Sequence, residues 1–287
     1  MTRDHRKPTL SKRILRVFTL YYLRKPRPKV AVVPLKGIVG NLGKWRARGL
    51  VLDEWQETLE KAFSISNLKA VALVINSPGG SPVQAELLSS TIRRLAEEKK
   101  VPVYAFAEDV CASGGYWLAC AGEEIYAHTS SIVGSIGVIA AGFGLQELIA
   151  RHGIERRVYH QGENKAMLDP FLPQREEDVH RLLSVQHDVH MAFIEHVKQS
   201  RGRRLNADEE ELFSGAFWSG KQAKDMGLID GIGDVTGVIQ DKFGKKVKFV
   251  RCTPAKSFFS LFSSRLNWTQ SLLSGIEERL HWDRFGL

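Results

Sequence analysis

The chain has 287 residues, 43% of them apolar and 9% aromatic, which is ample for a large buried core and too apolar for a disordered chain. Its cysteines, Cys111, Cys120 and Cys252, are odd in number and form no C-x-x-C pair, so neither a disulfide framework nor a zinc ribbon is indicated and a reducing compartment is the default. The net charge of +9 resides in residues 1–29, where ten Lys/Arg face Asp4 alone; the rest of the chain is balanced, and a basic arm on a neutral body points to an anionic membrane surface or a targeting address rather than to nucleic acid.

Within that arm, ILRVFTLYYL (residues 14–23) is too short to span a bilayer and is interrupted by Arg16. It lacks the small-residue cleavage pattern of a secretory signal, and three readings stay open: an interfacial helix, an organelle transit peptide, or a solvated tail. Localisation is therefore expected to be membrane-associated or cytoplasmic.

From residue 30 the pattern becomes regular. VAVVPLKGIVG (30–40) reads as a buried strand, LDEWQETLEKAF (52–63) as an amphipathic helix, KAVALVINS (69–77) as a second strand, residues 84–100 as a helix and VPVYAFAED (101–109) as a third strand. EEIYAH and SIVGSIGVIAAG follow as short strand-like pieces, GIERRVYHQ (153–161) as a further strand, and residues 174–200 as one long helix with Val179, Leu182, Leu183, Val189, Phe193 and Val197 on a face. A glycine-punctuated segment (214–235) and a last strand, KKVKFVRC, complete a chain without repeats or Pro/Ser-rich linkers. The alternation implies parallel strands with helical crossovers in one domain. The expected organisation is a basic arm (1–29), a main α/β domain (30–252) and a C-terminal amphipathic helix (253–287). That last helix carries Phe259, Phe262, Leu266, Leu273, Ile276 and Leu280 beside Trp268 and Trp282, and either packs on the body or another subunit or lies in a membrane interface.

Two strand ends share one feature: VALVINSPGGS (71–81) and VYAFAEDVCASGGY (103–116) each pass through a glycine corner into a helix. In a parallel sheet both corners lie at the carboxyl edge and face each other. Paired glycines let main-chain N–H groups approach a ligand unobstructed, so Gly79 or Gly80 at one corner and Gly114 at the other are candidate oxyanion donors, with Ser113 placed to attack a carbonyl held between them. The alternative is a tight helix entry with Ser113 as N-cap. A serine also needs a base, and no histidine has a persuasive context: His128 sits in a strand-like piece, and His180, His187 and His190 lie along the long helix. No metal-ligand set and no cofactor motif is present.

NSPGG, ASGGY, GSIGV (134–138), the lysine of HQGENKAMLDPF (160–171) and FWSGKQAKDMGLIDGIGD (217–234) resemble, in order and spacing, the signal peptide peptidase A family of serine proteases, peptidase family S49, in its short single-domain form. The likeness covers roughly residues 30–250. It implies an α/β fold of the ClpP/crotonase-like superhelical type, built of repeated β-β-α units, and a Ser/Lys dyad in which Lys165 is general base to the Ser113 nucleophile. Ser135 would orient the lysine amine, and Asn76 would brace the first corner. A lysine is a base only when neutral, which calls for a dry apolar pocket, so Glu163 and Asp169 beside Lys165 are expected to point outward. Cys111 is expected to be a packed small hydrophobe rather than a rival nucleophile.

The resemblance further implies a ring-shaped homo-oligomer cleaving hydrophobic, signal-peptide-like segments. Family members usually carry a transmembrane helix ahead of the catalytic part. None is evident here, and residues 1–29 and 257–287 are the candidates for peripheral membrane contact. Two other readings share the architecture: a crotonase-type acyl-CoA enzyme, which would need a catalytic carboxylate near the second corner, and an inactive membrane-surface scaffold. A Clp-type peptidase would need a histidine between Ser130 and Val138, where there is none.

Overall fold

A computed structural model describes residues 27–41 and 49–254, together with Trp282 and Phe285. The basic arm and most of the C-terminal amphipathic segment lie outside the described residues.

Strands β1 (Lys29–Lys36), β2 (Leu68–Ser77) and β3 (Val103–Ala112) alternate with helices α1 (Leu52–Phe63), α2 (Pro82–Lys99) and α3 (Gly114–Ala119). Then come β4 (Glu124–Ala127), β5 (Ile132–Gly134), α4 (Gln146–Arg151), the long α5 (Glu176–Arg201), α6 (Glu209–Leu212) and β6 (Phe217–Ser219). The described chain closes with α7 (Gly220–Asp225), β7 (Gly231–Ile232), α8 (Val235–Phe243) and β8 (Lys248–Arg251). Neighbours run β6-β5-β3-β2-β1-β8, parallel except for β5 with β6, and β4 pairs with β3 and β7. The fold is thus α/β.

Side chains alternate across the sheet as strand geometry demands. Ala31, Val33, Leu35, Val71, Leu73, Ile75, Val103 and Ala105 face one layer of helices, while Val30, Ala70, Ala72, Tyr104 and Phe106 face α8. Burial on both faces is why these strands read as continuous apolar runs.

Past its main run of pairing, each long strand adds a second, short paired stretch near its carboxyl end. Past β1, Val39 bridges Gly80 and Leu50; past the main part of β2, Ser77 pairs with Cys111; and the end of β3, Val110 to Ala112, pairs with β5. A helix follows each stretch, so the unit is β-β-α, repeated along the chain as expected. β3 carries a bulge there: Ile75 pairs with Ala107, yet Ser77 pairs with Cys111. Asn76 fills the gap, its Nδ2 donating to Asp109 Oδ2 at 2.7 Å and its Oδ1 accepting from the Val110 amide at 3.2 Å.

Two sequence expectations need correction. GIERRVYHQ forms no strand; residues 154–160 are irregular and almost wholly exposed, with no partner strand among the described residues to satisfy a ladder. The long helix exists, but only its second half is core: Phe193 and Val197 are buried, whereas Leu183 is 54% exposed. Trp282 and Phe285 pack against Val110, Ala112 and Ile132 at the ends of β3 and β5, and Phe285 meets the Phe217 ring edge-on at 5.3 Å. Among the described residues no helix is long and apolar enough to cross a membrane.

Candidate active site

Strand β3 carries the chain to Ser113 without interruption, and α3 starts at the next residue. From Val110 to Gly122 every residue is buried except Ser113, which is partly exposed. Its backbone, φ 51° and ψ −123°, lies in a region that a residue with a Cβ adopts at a cost of about 1–3 kcal/mol. The surrounding structure enforces it: the Ser113 amide donates to Gly134 O at 2.8 Å, and Trp117 N donates back to Ser113 O at 3.0 Å. The Ser113 side chain makes no capping bond to the helix. The N-cap reading fails on that ground, because an N-cap serine has extended φ/ψ and gives its oxygen to a first-turn amide.

The first corner presses directly on this serine. A Cβ on Gly79 would lie 2.6 Å from Ser113 Cβ and 2.8 Å from Gly114 N, so position 79 admits only glycine, and its φ of 102° independently requires one. The Gly79 amide donates to Ser77 Oγ at 3.2 Å and is spent inside the corner. The amides of Gly80 and Gly114 have no acceptor among the described residues. They are also close, since a Cβ on Gly114 would stand 3.4 Å from Gly80 N. The structure therefore brings together Ser113, Gly79, Gly80 and Gly114, with Gly80 and Gly114 as the available donors and Gly79 as the spacer. Gly115 is equally constrained, for its Cβ would meet Ser77 O at 2.6 Å.

Ser135 joins the same cluster. Ala112 pairs with Gly134 in the parallel ladder of β3 with β5, so Ser113 and Ser135 emerge side by side from adjacent strand ends. Ser135 too has a positive φ, 53°, is nearly buried, and donates its amide to Ala216 O. Behind it the Trp218 ring packs where a Cβ on Gly134 would be, 2.6 Å away.

Lys165 stands apart. It lies in a turn of the exposed segment 137–175, its amide donating to Gly162 O at 3.1 Å, and among the described residues its ammonium forms neither an ion pair nor a hydrogen bond, to Ser113 or to anything else. The dry pocket expected around it is not formed by the described chain, because α4 has no buried residue and Ile139, Phe143 and Tyr159 are open to solvent. Glu163 is exposed. Asp169, in contrast, is turned inward: it accepts from the Phe171 amide at 2.9 Å and pairs with Arg156 at 3.0 Å, with its side chain only 9% exposed. The expectation that Asp169 points outward is corrected, although its partners keep it from serving Lys165. Those same hydrogen bonds, the Phe171 amide first and then Arg156, hold the Asp169 carboxyl below the usual carboxylate range.

Cys111 is fully buried with its Sγ donating to Gly115 O at 3.4 Å, and burial pushes its thiol far up, as it pushes Cys120 to about 12. Neither competes with Ser113 as a nucleophile.

Two supports escaped sequence reasoning. Arg201, 1% exposed at the end of α5, donates to Asp230 Oδ2 at 2.7 Å and twice to Gly227 O, and Asp230 Oδ2 also accepts from the Ile125 amide. This network clamps the long helix to the GLIDG turn and to β4. His196 stacks on Trp117 at 4.9 Å and lies 3.0 Å by Nε2 from Trp117 O, which can only accept, so Nε2 carries the proton. That contact fixes α3 against α5. An arginine near a helix end and a histidine on a helix carry no local signal that tells them from solvated residues.

With this geometry in place, comparison with known proteins is informative. The model of the family described as "Peptidase family S49" matches residues 95–248, more than half of the chain. A Brucella melitensis protein named Na(+)/H(+) antiporter NhaA is 42% identical over 92% of this chain, which spans 38% of that protein. Serine protease SPPA, chloroplastic, of Arabidopsis thaliana is 31% identical over 74% of this chain, which spans 32% of it. Putative protease MJ0651 of Methanocaldococcus jannaschii is 34% identical over 62% of this chain and is spanned over 55% of its length. The chain thus spans about two fifths of the length of the Brucella relative and about a third of the chloroplast protease. Given the extent of the family match and the ordered motifs it covers, this chain belongs to peptidase family S49, the signal peptide peptidase A family.

Proposed function

We propose that the chain is a serine endopeptidase in which Ser113 attacks a peptide carbonyl and Lys165, as neutral amine, takes its proton. The observation that carries this reading is the exposure of Ser113 alone within a buried corner, on a strained backbone, beside the unpaired amides of Gly80 and Gly114. As the serine oxygen bonds to the carbonyl carbon, the carbonyl oxygen becomes an oxyanion between those amides; each such donor supplies about 3 kcal/mol of transition-state stabilisation. Lys165 then returns its proton to the leaving amine, and water repeats the cycle on the acyl-enzyme. Ser135, rigid and adjacent to Ser113, is suited to receive and orient the lysine amine by hydrogen bonding.

The exposure of Lys165 and of the apolar side chains of segment 137–175 favours assembly: association of several copies into a ring would bury that segment and supply the dry surroundings a lysine base requires. Hydrophobic, signal-peptide-like segments are the proposed substrates. The carboxylates just before the second corner are engaged, Asp109 by the Asn76 amide and Glu108 by an ion pair with Lys36, which disfavours the crotonase reading.

The test is hydrolysis of a quenched fluorescent peptide with an apolar core by the wild-type protein and by Ser113→Ala and Lys165→Ala, with the assembly state followed by light scattering. Turnover in a multimer, lost at least a thousandfold in both variants, is expected. Undiminished turnover in Ser113→Ala overturns the reading.

A further inference from the structure

Next to the two serines, on the face of β3 and β5 turned away from the main core, lies a small apolar cluster that includes Phe285. Val110 and Ala112 of β3 are fully buried in it, Phe285 is 8% exposed, and Ile132 and Trp282 pack at its margin. The Phe285 amide donates to Trp282 O at 2.8 Å, so the two aromatics belong to one turn. The alternate residues Cys111 and Val133, with Trp218, belong to the main core on the other face. The ends of β3 and β5 are thus held between two layers. Among the described residues, Trp282 and Phe285 are the members of the second layer that do not come from the strands themselves.

What this layer supports is the serine pair. In the ladder Ala112 pairs with Gly134, and Gly134 with Phe217. Gly134 brings no side chain to this row, and Phe285 reaches both flanks of it: it shares a cluster with Ala112 and meets the Phe217 ring edge-on at 5.3 Å. The residues that follow Ala112 and Gly134 are Ser113 and Ser135. Both serine amides are held from this row or beside it, Ser113 N donating to Gly134 O at 2.8 Å and Ser135 N to Ala216 O, next to Phe217, at 2.6 Å. β5 has only three residues, so packing on its faces matters to its position as much as its short ladder does. Phe285 lies outside residues 95–248, the stretch matched by the family model, and none of the motifs that carry the site includes it.

We propose that Phe285 is a positioning residue for the serine pair: by covering the row Ala112–Gly134–Phe217 it holds Ser113 and Ser135 in the arrangement that the proposed peptidase reaction uses. Its consequence for catalysis rests on that reaction; the support itself does not. Both serines hold backbone conformations that persist only while the packing around them is complete. A phenyl ring removed from beside them leaves a void that the short β5 closes only by moving.

The experiment combines amide hydrogen exchange with peptide hydrolysis on the full chain, Phe285→Ala against wild type. Loss of the cover should open the strand ends locally, speeding exchange at the Ser113 and Ser135 amides about tenfold while Val33 and Leu73 in the main sheet exchange as before. On the quenched fluorescent peptide, kcat should fall about tenfold with KM within about twofold, because orientation of the nucleophile is lost rather than a substrate contact. Phe285→Leu restores apolar cover and should recover most of both effects. Should Phe285→Ala fold poorly by circular dichroism, Phe217→Ala, at a partly exposed position, removes the edge-on partner and should still speed exchange at Ser135 about threefold. Exchange needs no catalysis, so a wild type without turnover would fail the peptidase reading while the amides still decide the role of Phe285. Exchange at the two serines unchanged in both variants, faster exchange of all four amides together, or an unchanged kcat in Phe285→Ala would overturn the proposal.

Discussion

Ser113 and Ser135 stand at the ends of adjacent parallel strands, tied by the Ser113 amide donating at 2.8 Å to the carbonyl of Gly134, and both hold a positive φ. Two strained non-glycine residues side by side are costly unless the packing around them overdetermines their conformation. Here Gly79, Gly115 and the Trp218 ring supply that packing, each through a contact that a single added methyl group would break.

The glycines should accordingly separate by role. In Gly115→Ala the new Cβ meets Ser77 O at 2.6 Å, backbone against backbone, and stability should fall by about 2 kcal/mol or more. Gly114 has an ordinary φ, and a Cβ there finds nothing nearer than 3.4 Å, so Gly114→Ala should fold like wild type. Thermal denaturation of the two variants reads the difference directly; equal melting temperatures would contradict the packing described.

Asn76 should matter through the bulge it fills. Asn76→Ala removes a side chain that satisfies both Asp109 and the Val110 amide, for an expected loss of about 1–2 kcal/mol. Hydrogen exchange should show faster opening of Val110 in the variant. Protection unchanged at that amide would show that Asn76 is dispensable to the corner.

Breaking the clamp at the end of the long helix should be more severe. Arg201→Met leaves the partly buried Asp230 with only the more exposed guanidinium of Arg204, at 3.2 Å, and loss of the buried member of such a pair costs up to about 3–5 kcal/mol. Urea denaturation of Arg201→Met against the double change Arg201→Met/Asp230→Asn measures how much of that comes from the carboxylate that has lost its buried partner. The double variant should recover part of the loss.

His196 provides a pH test. Burial holds its imidazole below the ordinary histidine range, so the unfolded chain takes up the proton more readily than the folded one. Its contribution is thus complete above the unfolded value, about 6.5, and declines as pH falls from there through the lowered folded value. Wild type should lose stability between neutral pH and pH 5 by more than His196→Gln does; parallel curves for the two proteins would rule out this linkage.

Much of this was legible in the sequence because it rests on local chemistry. The helix at 52–63 was read to the residue, since its apolar spacing is undisturbed by neighbours, and the two glycine corners were visible because few other residues turn so tightly. Residues 153–161 have the composition of a strand but form none, because composition says nothing about whether a partner strand exists. Arg201 and His196 were overlooked for a related reason: their partners Asp230 and Trp117 are distant in the chain. Asp169 was misplaced because its neighbour in space, Arg156, is 13 residues away across an irregular segment.

The most direct measurement of the proposed chemistry is labelling with a fluorophosphonate probe, followed by mass spectrometry of the modified peptide. A single adduct on Ser113 in the wild-type protein is expected, with little labelling of Lys165→Ala and none of Ser113→Ala. Equal labelling of all three proteins, or an adduct carried by a different residue, would contradict the assignment of Ser113 as nucleophile and Lys165 as its base.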